Sequence, residues 1–410
     1  MIQEADAVVI GSGALGASVA FHLAKLGAGR VALLDRFEIA SQTSPRAAGL
    51  SQQIRPEPEM TRLAMLSVEK IVRFTEETGE PMVCYQSGSV KIARTESDAG
   101  QIEGEIASGR ALGLDIHAIG PGDLARLTPF AKPTGGRAMW YTPSDVYLEP
   151  VQVPLGYARG AARLGATLLP GTEVTGMLVQ GGEVTGVTTA GGEIRAPIVV
   201  DAAGAWARLL GERGGVRVPV VPVRHQLFIT EPIPGVESTQ PICRVIDAHV
   251  YVRPEKGGLM LGGYEHDPHA YDMRGVGADF QIRDLPLDIT VLRGLAERVR
   301  EVFPVLVEAP VREHRGGLPT MTADGKLIVG PVPGLRGFYL ATGCCVGGLS
   351  IAPGVGQMLA ELILTGKSSI PLDVLSVARF GPELADEIAL RAAGIATYVH
   401  QYSGGWQPHA

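Results

Sequence analysis

Three glycines, Gly11, Gly13 and Gly16, are spaced as G-x-G-x-x-G within "ADAVVIGSGALGASVAFHLAKLGAGRVALLD". This spacing suits a diphosphate. Gly11 makes a tight turn, and Gly13 lets backbone N–H groups approach a pyrophosphate where a helix begins at Ala14 and Leu15. Gly16 lets that helix pack closely on a strand. Asp35, 24 residues past Gly11 and followed by Arg36, is placed to accept hydrogen bonds from an adenosine ribose. The elements that must hold these residues are legible around them. Ala7 to Ile10 form an apolar run, as for a strand buried on both faces. Leu15, Val19, Leu23 and Leu26 recur at helical spacing, with Gly27 at the expected C-terminal cap. Val31 to Leu34 read as a second strand. This pattern predicts dinucleotide binding without separating FAD from NAD(H).

Later segments favour FAD. "EIRAPIVVDAAGAWARLLG" (193–211) is a strand running into small residues and a helix. It predicts a strand that returns to the same sheet and passes Ala203, Gly204 and Trp206 beside the dinucleotide. In 324–366, two strands lead into a glycine-rich loop with Gly343, Gly347 and Gly348, followed by Leu349 and Ser350. A helix starting after Pro353 and Gly354 then shows one apolar face through Val355, Met358, Leu359, Leu362 and Ile363. Its N-terminus would stabilise the negative charge that reduction places on a flavin. Cys344 and Cys345 are read as small apolar residues filling a turn rather than as a redox pair.

Bulk properties set the outer limits. The 410 residues suit two domains or one interleaved pair. A formal charge of −7, without basic runs, gives no case for nucleic acid or an anionic membrane surface. No stretch reads as apolar for long enough to span a bilayer. The N-terminus lacks a basic region and a cleavage site, so a cytoplasmic location is expected. The four cysteines fit no disulfide framework and no metal spacing, and no metal is expected.

Taken in order, "VVIGSGALGASVAFHLA", "TSPRAAGL", "VYLEPVQVPLGYARGAARLGATLLPGTEV", "VVDAAGAWA", "PVRHQLFITEPI", "YVRPEKGGLMLGGYE", "ADGKLIVGPVPGLRGFYLATG" and "GVGQMLAELI" resemble the D-amino-acid-oxidase-like flavoprotein superfamily. The nearer likeness is to its sarcosine and dimethylglycine oxidase/dehydrogenase branch, over nearly the whole chain. The resemblance implies an α/β fold. A doubly wound, Rossmann-like FAD domain (1–85, 147–222 and 311–368) would interleave with a mixed or antiparallel β-sheet substrate domain (86–146 and 223–310), before a tail at 369–410. It also implies cofactor contacts from Ser44, Arg46, Ala47, Ala48, Gly49 and Leu50, and from Val174 and Gly317. The tail at 377–403 resembles the linker that leads into a folate-binding half in dimethylglycine-type enzymes. That half, and folate-linked capture of a one-carbon product, is not expected here.

Flavin oxidation of an amine needs a neutral nitrogen, an alpha carbon held close to the flavin and, for an amino acid, a buried cation for the carboxylate. The cofactor carries the hard step, so no protein nucleophile is required. By resemblance His225 and Tyr251 lie at the substrate face. His225 would keep the amine deprotonated or orient it, and Tyr251 would wall the pocket and bond the substrate. His249 is expected to share a strand face with Tyr251. By the same resemblance Arg55 pairs with a substrate carboxylate, while Ser350 stands where relatives complete that clamp with a lysine. Met260 stands where fast oxygen-reacting sarcosine oxidases carry a lysine, which implies that O2 reacts slowly or is activated by another charge such as His225 or Arg46; the electron acceptor is O2 or another acceptor. Arg46 replaces a histidine that bonds covalently to flavin in dimethylglycine-type relatives, and "HRGGLPTM" offers no cysteine for the alternative bond. Noncovalent FAD is therefore expected, with Arg46 as a charge contact. The leading expectation is oxidation of a secondary or tertiary amine to an imine, hydrolysed to the dealkylated amine and an aldehyde. The alternatives are a D-amino acid or cyclic imino acid dehydrogenase, the FAD subunit of a heteromeric enzyme, or a non-catalytic flavoprotein. Homo-oligomerisation stays open.

Overall fold

All four residues of the strand Ala7–Ile10 are buried, as an uninterrupted apolar run requires in a sheet covered on both faces. The computed structural model describes residues 2–132 and 135–402. Ala7–Ile10 lies within a six-stranded sheet ordered Ile328–Pro331, Phe338–Thr342, Val199–Asp201, Ala7–Ile10, Val31–Leu34, Thr167–Leu169. The strands run parallel except Ile328–Pro331, antiparallel at one edge. Ala7 and Val9 face a core shared with the helices Ala14–Lys25, Gln152–Arg163 and Gly348–Thr365. Val8 and Ile10 face a smaller antiparallel sheet, Val174–Gln180, Glu183–Thr189 and Gly192–Arg195. The strand Val199–Asp201 returns beside Ala7–Ile10, pairing Val8 with Val199, and so delivers 202–204 to the end of the first helix.

A second, eight-stranded mixed sheet carries the substrate side. Its order is Val311–Gly317, His225–Thr230, Gly258–Gly263, Val250–Glu255, Ile242–Val245, Ser89–Ala93, Ala138–Thr142, His117–Ala118. A hairpin joins Val250–Glu255 to Gly258–Gly263 through Lys256 and Gly257, whose positive φ values of 50° and 80° suit a two-residue turn between twisted strands. The boundary expected at 311 moves toward the C-terminus. Val311–Gly317 pairs antiparallel with His225–Thr230, because backbone pairing rather than chain order decides membership of the sheet.

Two further expectations change. The helix after the glycine-rich loop begins at Gly348, not after Pro353, which lies inside it. That helix, Gly348–Thr365, does reach membrane-spanning length and apolarity, with mean hydropathy 1.3. It is nonetheless 67% buried, packed on Ala14–Lys25 and Pro58–Val72. Its closeness to the first helix rests on small residues, since a Cβ on Gly356 would sit 2.2 Å from Ser18 Oγ. Within the tail, the helix Glu387–Val399 packs with Val221, Tyr264 and Met321. Residues 403–410 of the expected tail lie outside the described residues.

Candidate active site

Two adjoining cavities, of about 600 and 140 Å3, follow the N-terminus of the helix Ala14–Lys25. They share Gly13, Thr43, Ser44, Ala202 and Gly204. Gly11 needs its glycine, because with φ of 101° a Cβ there would meet the Ala202 carbonyl oxygen at 2.4 Å. The first helical turn carries no acid, and Ser44 Oγ accepts from the Ala14 N–H at 3.0 Å. A helix N-terminus of this kind attracts an anion. The residues present therefore fit a dinucleotide laid across both cavities.

The smaller cavity is lined by Gly11, Asp35, Arg36, Val174, Ala203 and Trp206. The Arg36 guanidinium stands over the Phe37 and Trp206 rings. Asp35 accepts from Ser12 N and Oγ at 2.7 and 2.6 Å, and burial raises its carboxyl above the usual range. These two bonds occupy one oxygen of the group expected to hold a ribose.

The larger cavity is lined by Ala14 and Leu15, by the loop residues Ser44 and 46–50, by Gly317, and by Gly347, Gly348, Leu349 and Ser350. Its loop wall is held from the large sheet. Arg253 Nε donates to the Ala48 carbonyl at 2.8 Å, and Arg315 Nη2 to the Ala47 carbonyl at 3.3 Å. Arg46 turns its guanidinium back onto its own loop, donating to the Ser41 carbonyl at 2.6 Å and to that of Gln42. The cation expected against a cofactor thus closes the loop that lines the cavity.

Four expected site residues line neither cavity. Gly16 acts in packing, since a Cβ there would lie 1.9 Å from the Gly11 carbonyl oxygen. Gly343 lies behind the wall against Thr322. Met260 is fully buried in a small cluster with Leu227, Ile229 and Tyr251, beneath Ala48 and Leu50. His249 precedes its strand with φ of 56°, which breaks the alternation that would have paired it with Tyr251. Its ring stacks on Tyr402 instead.

His225, Tyr251 and Arg55 do converge on the larger cavity. His225 Nε2 lies 3.0 Å from the Tyr251 hydroxyl, and its Nδ1 lies 2.9 Å from that of Tyr398. Burial pushes the imidazole down to about 4, so it is neutral near pH 7. Tyr251 lies flat across Gly262, its register partner, where a Cβ would be 2.2 Å from the hydroxyl oxygen. Arg55 Nη2 reaches Ser350 Oγ at 3.4 Å.

Sequence reasoning missed Arg244. It is only 5% exposed and lines the same cavity as Arg55. Its Nη1 donates to Ser89 Oγ at 3.2 Å, and Tyr402 also hydrogen-bonds it. Among the described residues neither Arg55 nor Arg244 has a carboxylate within 4.0 Å. Each arginine's partners are otherwise hydroxyls. Burial, then the charge of Arg244, lowers the proton affinity of Arg55. By contrast, Lys91 on the same wall is paired with Glu105 at 2.5 Å. The signal for Arg244 was present: a lone arginine in the buried strand "ICRV".

A family described as FAD dependent oxidoreductase matches residues 6–362. Mitochondrial sarcosine dehydrogenase of Mus musculus is 32% identical over 410 residues, covering 98% of this chain and 44% of the relative. Mitochondrial dimethylglycine dehydrogenase of Mus musculus is 30% identical over 387 residues, covering 92% of this chain and 44% of the relative. The chain thus spans less than half the length of these two relatives. Among solved structures, L-proline dehydrogenase from P. horikoshii superposes with a TM-score of 0.84 at 27% identity, covering 93% of this chain and 98% of that one.

Proposed function

Because the chain belongs to the FAD-dependent oxidoreductase family, we propose that it oxidises a small secondary or tertiary amine that carries a carboxylate, with N-methyl amino acids as the leading class. One observation carries the carboxylate. Arg55 and Arg244 face the cavity with no carboxylate within 4.0 Å among the described residues, and Asp145 acts on both only from farther away. Like charges drawn out of water, here buried Arg244 and half-buried Arg55, are costly until an anion lies between or beside them. A substrate carboxylate supplies that anion and is fixed by the two guanidiniums.

FAD, when bound, supplies the acceptor for the hydride of the carbon–hydrogen bond alpha to nitrogen. The chain does the rest. Arg55 and Arg244 anchor one end of the amine. Tyr251 bonds the other polar group, and His225 holds Tyr251 in place at 3.0 Å. Burial keeps the His225 imidazole neutral near pH 7, which suits a hydrogen-bonding, orienting role. The start of the Gly348–Thr365 helix and loop residues 46–50 wall the same cavity. The imine product is hydrolysed by water to the dealkylated amine and an aldehyde.

A second reading has its own support. The P. horikoshii L-proline dehydrogenase matches over 98% of its length, so a cyclic imino acid is the alternative substrate.

Anaerobic mixing with N-methyl amino acids, cyclic imino acids and D-amino acids tests both readings through bleaching of the flavin absorbance. Bleaching by an N-methyl amino acid is expected. Bleaching only by a proline-like acid selects the second reading, and no bleaching by any of them defeats both. Arg244→Met is expected to raise KM for the anionic amine by about 100-fold with a smaller change in kcat, as for lost uniform binding. An unchanged KM would remove Arg244 from the anion site.

A further inference from the structure

The segment that closes the larger cavity lies beyond the family match at 6–362. Thr397, His400, Gln401 and Tyr402, from the end of the helix Glu387–Val399 and the residues after it, line that cavity. Tyr398 stands behind them, with no exposed surface, and touches His225 rather than the cavity.

The hydrogen bonds around Tyr398 can be ordered by supply and demand. A neutral imidazole has one N–H donor and one lone pair. His225 has two hydroxyl partners, Tyr398 at Nδ1 and Tyr251 at Nε2. One must therefore donate to the ring and the other accept from it. The Tyr398 oxygen lies near the Glu265 backbone N–H, which favours it as an acceptor. Its own proton has Nδ1 as its acceptor among the described residues. Protonating Nδ1 would strand that buried proton without an acceptor. Tyr251 differs, because it lines the cavity and its proton can turn toward a ligand.

We propose that Tyr398 is a positioning residue: it donates to His225 Nδ1, fixes the Nε2–H tautomer, and so presents Tyr251 to the cavity as a hydrogen-bond donor. A hydroxyl whose oxygen already accepts from His225 and whose proton faces inward suits a neutral amine or a carboxylate and opposes an ammonium. That consequence rests on the amine-oxidation reading, whereas the tautomer itself does not. The C-terminal helix therefore acts on the site at one remove.

Long-range 1H–15N correlation on 15N-histidine-labelled, FAD-loaded protein reads the tautomer without any substrate. The His225 signal is assigned by its loss in His225→Gln. The expected wild-type pattern is an unprotonated Nδ1 and a protonated Nε2. Tyr398→Phe should convert it to a mixture of tautomers, and Tyr402→Phe should leave it unchanged, since Tyr402 bonds Arg244 and not His225. A protonated Nδ1 in the wild type overturns the proposal. So does an unaltered pattern in Tyr398→Phe, or an equal change in Tyr402→Phe. None of these results depends on which amine, if any, bleaches the flavin.

Discussion

Asp201, at the end of the strand Val199–Asp201, shows how a single buried group sets a pH dependence. Its Oδ1 accepts from Ala203 N at 3.0 Å, and its Oδ2 has no partner among the described residues. Burial pushes the carboxyl up to about 8 from an ordinary 3.8. Near neutral pH the group is thus protonated when folded and ionised when unfolded. Its contribution to stability is fully present below 3.8 and is lost as pH rises toward 8. Asp201→Asn keeps the acceptor and removes the ionisation. The variant should melt several degrees above the parent at pH 8 and lose that advantage near pH 4, in thermal scans at saturating FAD. Equal melting temperatures at pH 8 would show that the carboxyl is ionised in the fold. His225 acts with the opposite sign. Its depressed proton affinity makes the fold lose stability as pH falls from 6.5 to about 4.

At the scale of elements, the sheet register decides where the chemistry points. Tyr251 pairs across the hairpin with Gly262, and only a glycine leaves room for the ring. Gly262→Ala should push Tyr251 off His225 and slow flavin reduction by about 100-fold, the scale of a misplaced reacting group. The sheet and the bound flavin should remain, so the visible spectrum is the control. An unchanged reduction rate would show that Tyr251 does not bond the substrate. The same register explains what the sequence made legible. Gly11, Gly13, Gly16 and Asp35 are readable because one local strand–turn–helix unit places them. The joint placement of Arg55 and Arg244 is not readable, because it depends on residues from distant segments meeting at one cavity. His249 misled for a similar reason, since a single positive φ of 56° undoes the alternation assumed for its strand. Tyr398 was not legible at all, because its role exists only where the last helix folds back onto the strand of His225.

At the scale of the whole molecule, the loop that bears Arg46 bears on how the cofactor is held. Arg46 is engaged by the Ser41 and Gln42 carbonyls, and arginine does not act as a nucleophile. Arg253 and Arg315 tie the same loop to the large sheet through the Ala48 and Ala47 carbonyls. The expected attachment is noncovalent, with the loop held in place by its own hydrogen bonds and by the large sheet. Acid precipitation should leave the yellow colour in the supernatant, and a coloured pellet would refute it. Met260, shut beneath Ala48 and Leu50, offers no cation to incipient superoxide, so reoxidation by air should be slow in stopped flow. A rate typical of fast oxidases would place the needed charge on another residue.

The six-stranded sheet has a further consequence, for the order in which the protein acquires its site during synthesis. Its neighbouring strands come from 7–10, 31–34, 167–169, 199–201, 328–331 and 338–342, and the cavity wall is finished only by residues 397–402. No N-terminal portion of the chain owns the cleft. A nascent chain on the ribosome can form the first strand–helix–strand unit early, but it cannot close the cleft until residues 397–402 have emerged. Capture of the cofactor then waits for those residues, and the glycine turn keeps its apolar neighbours exposed until they arrive.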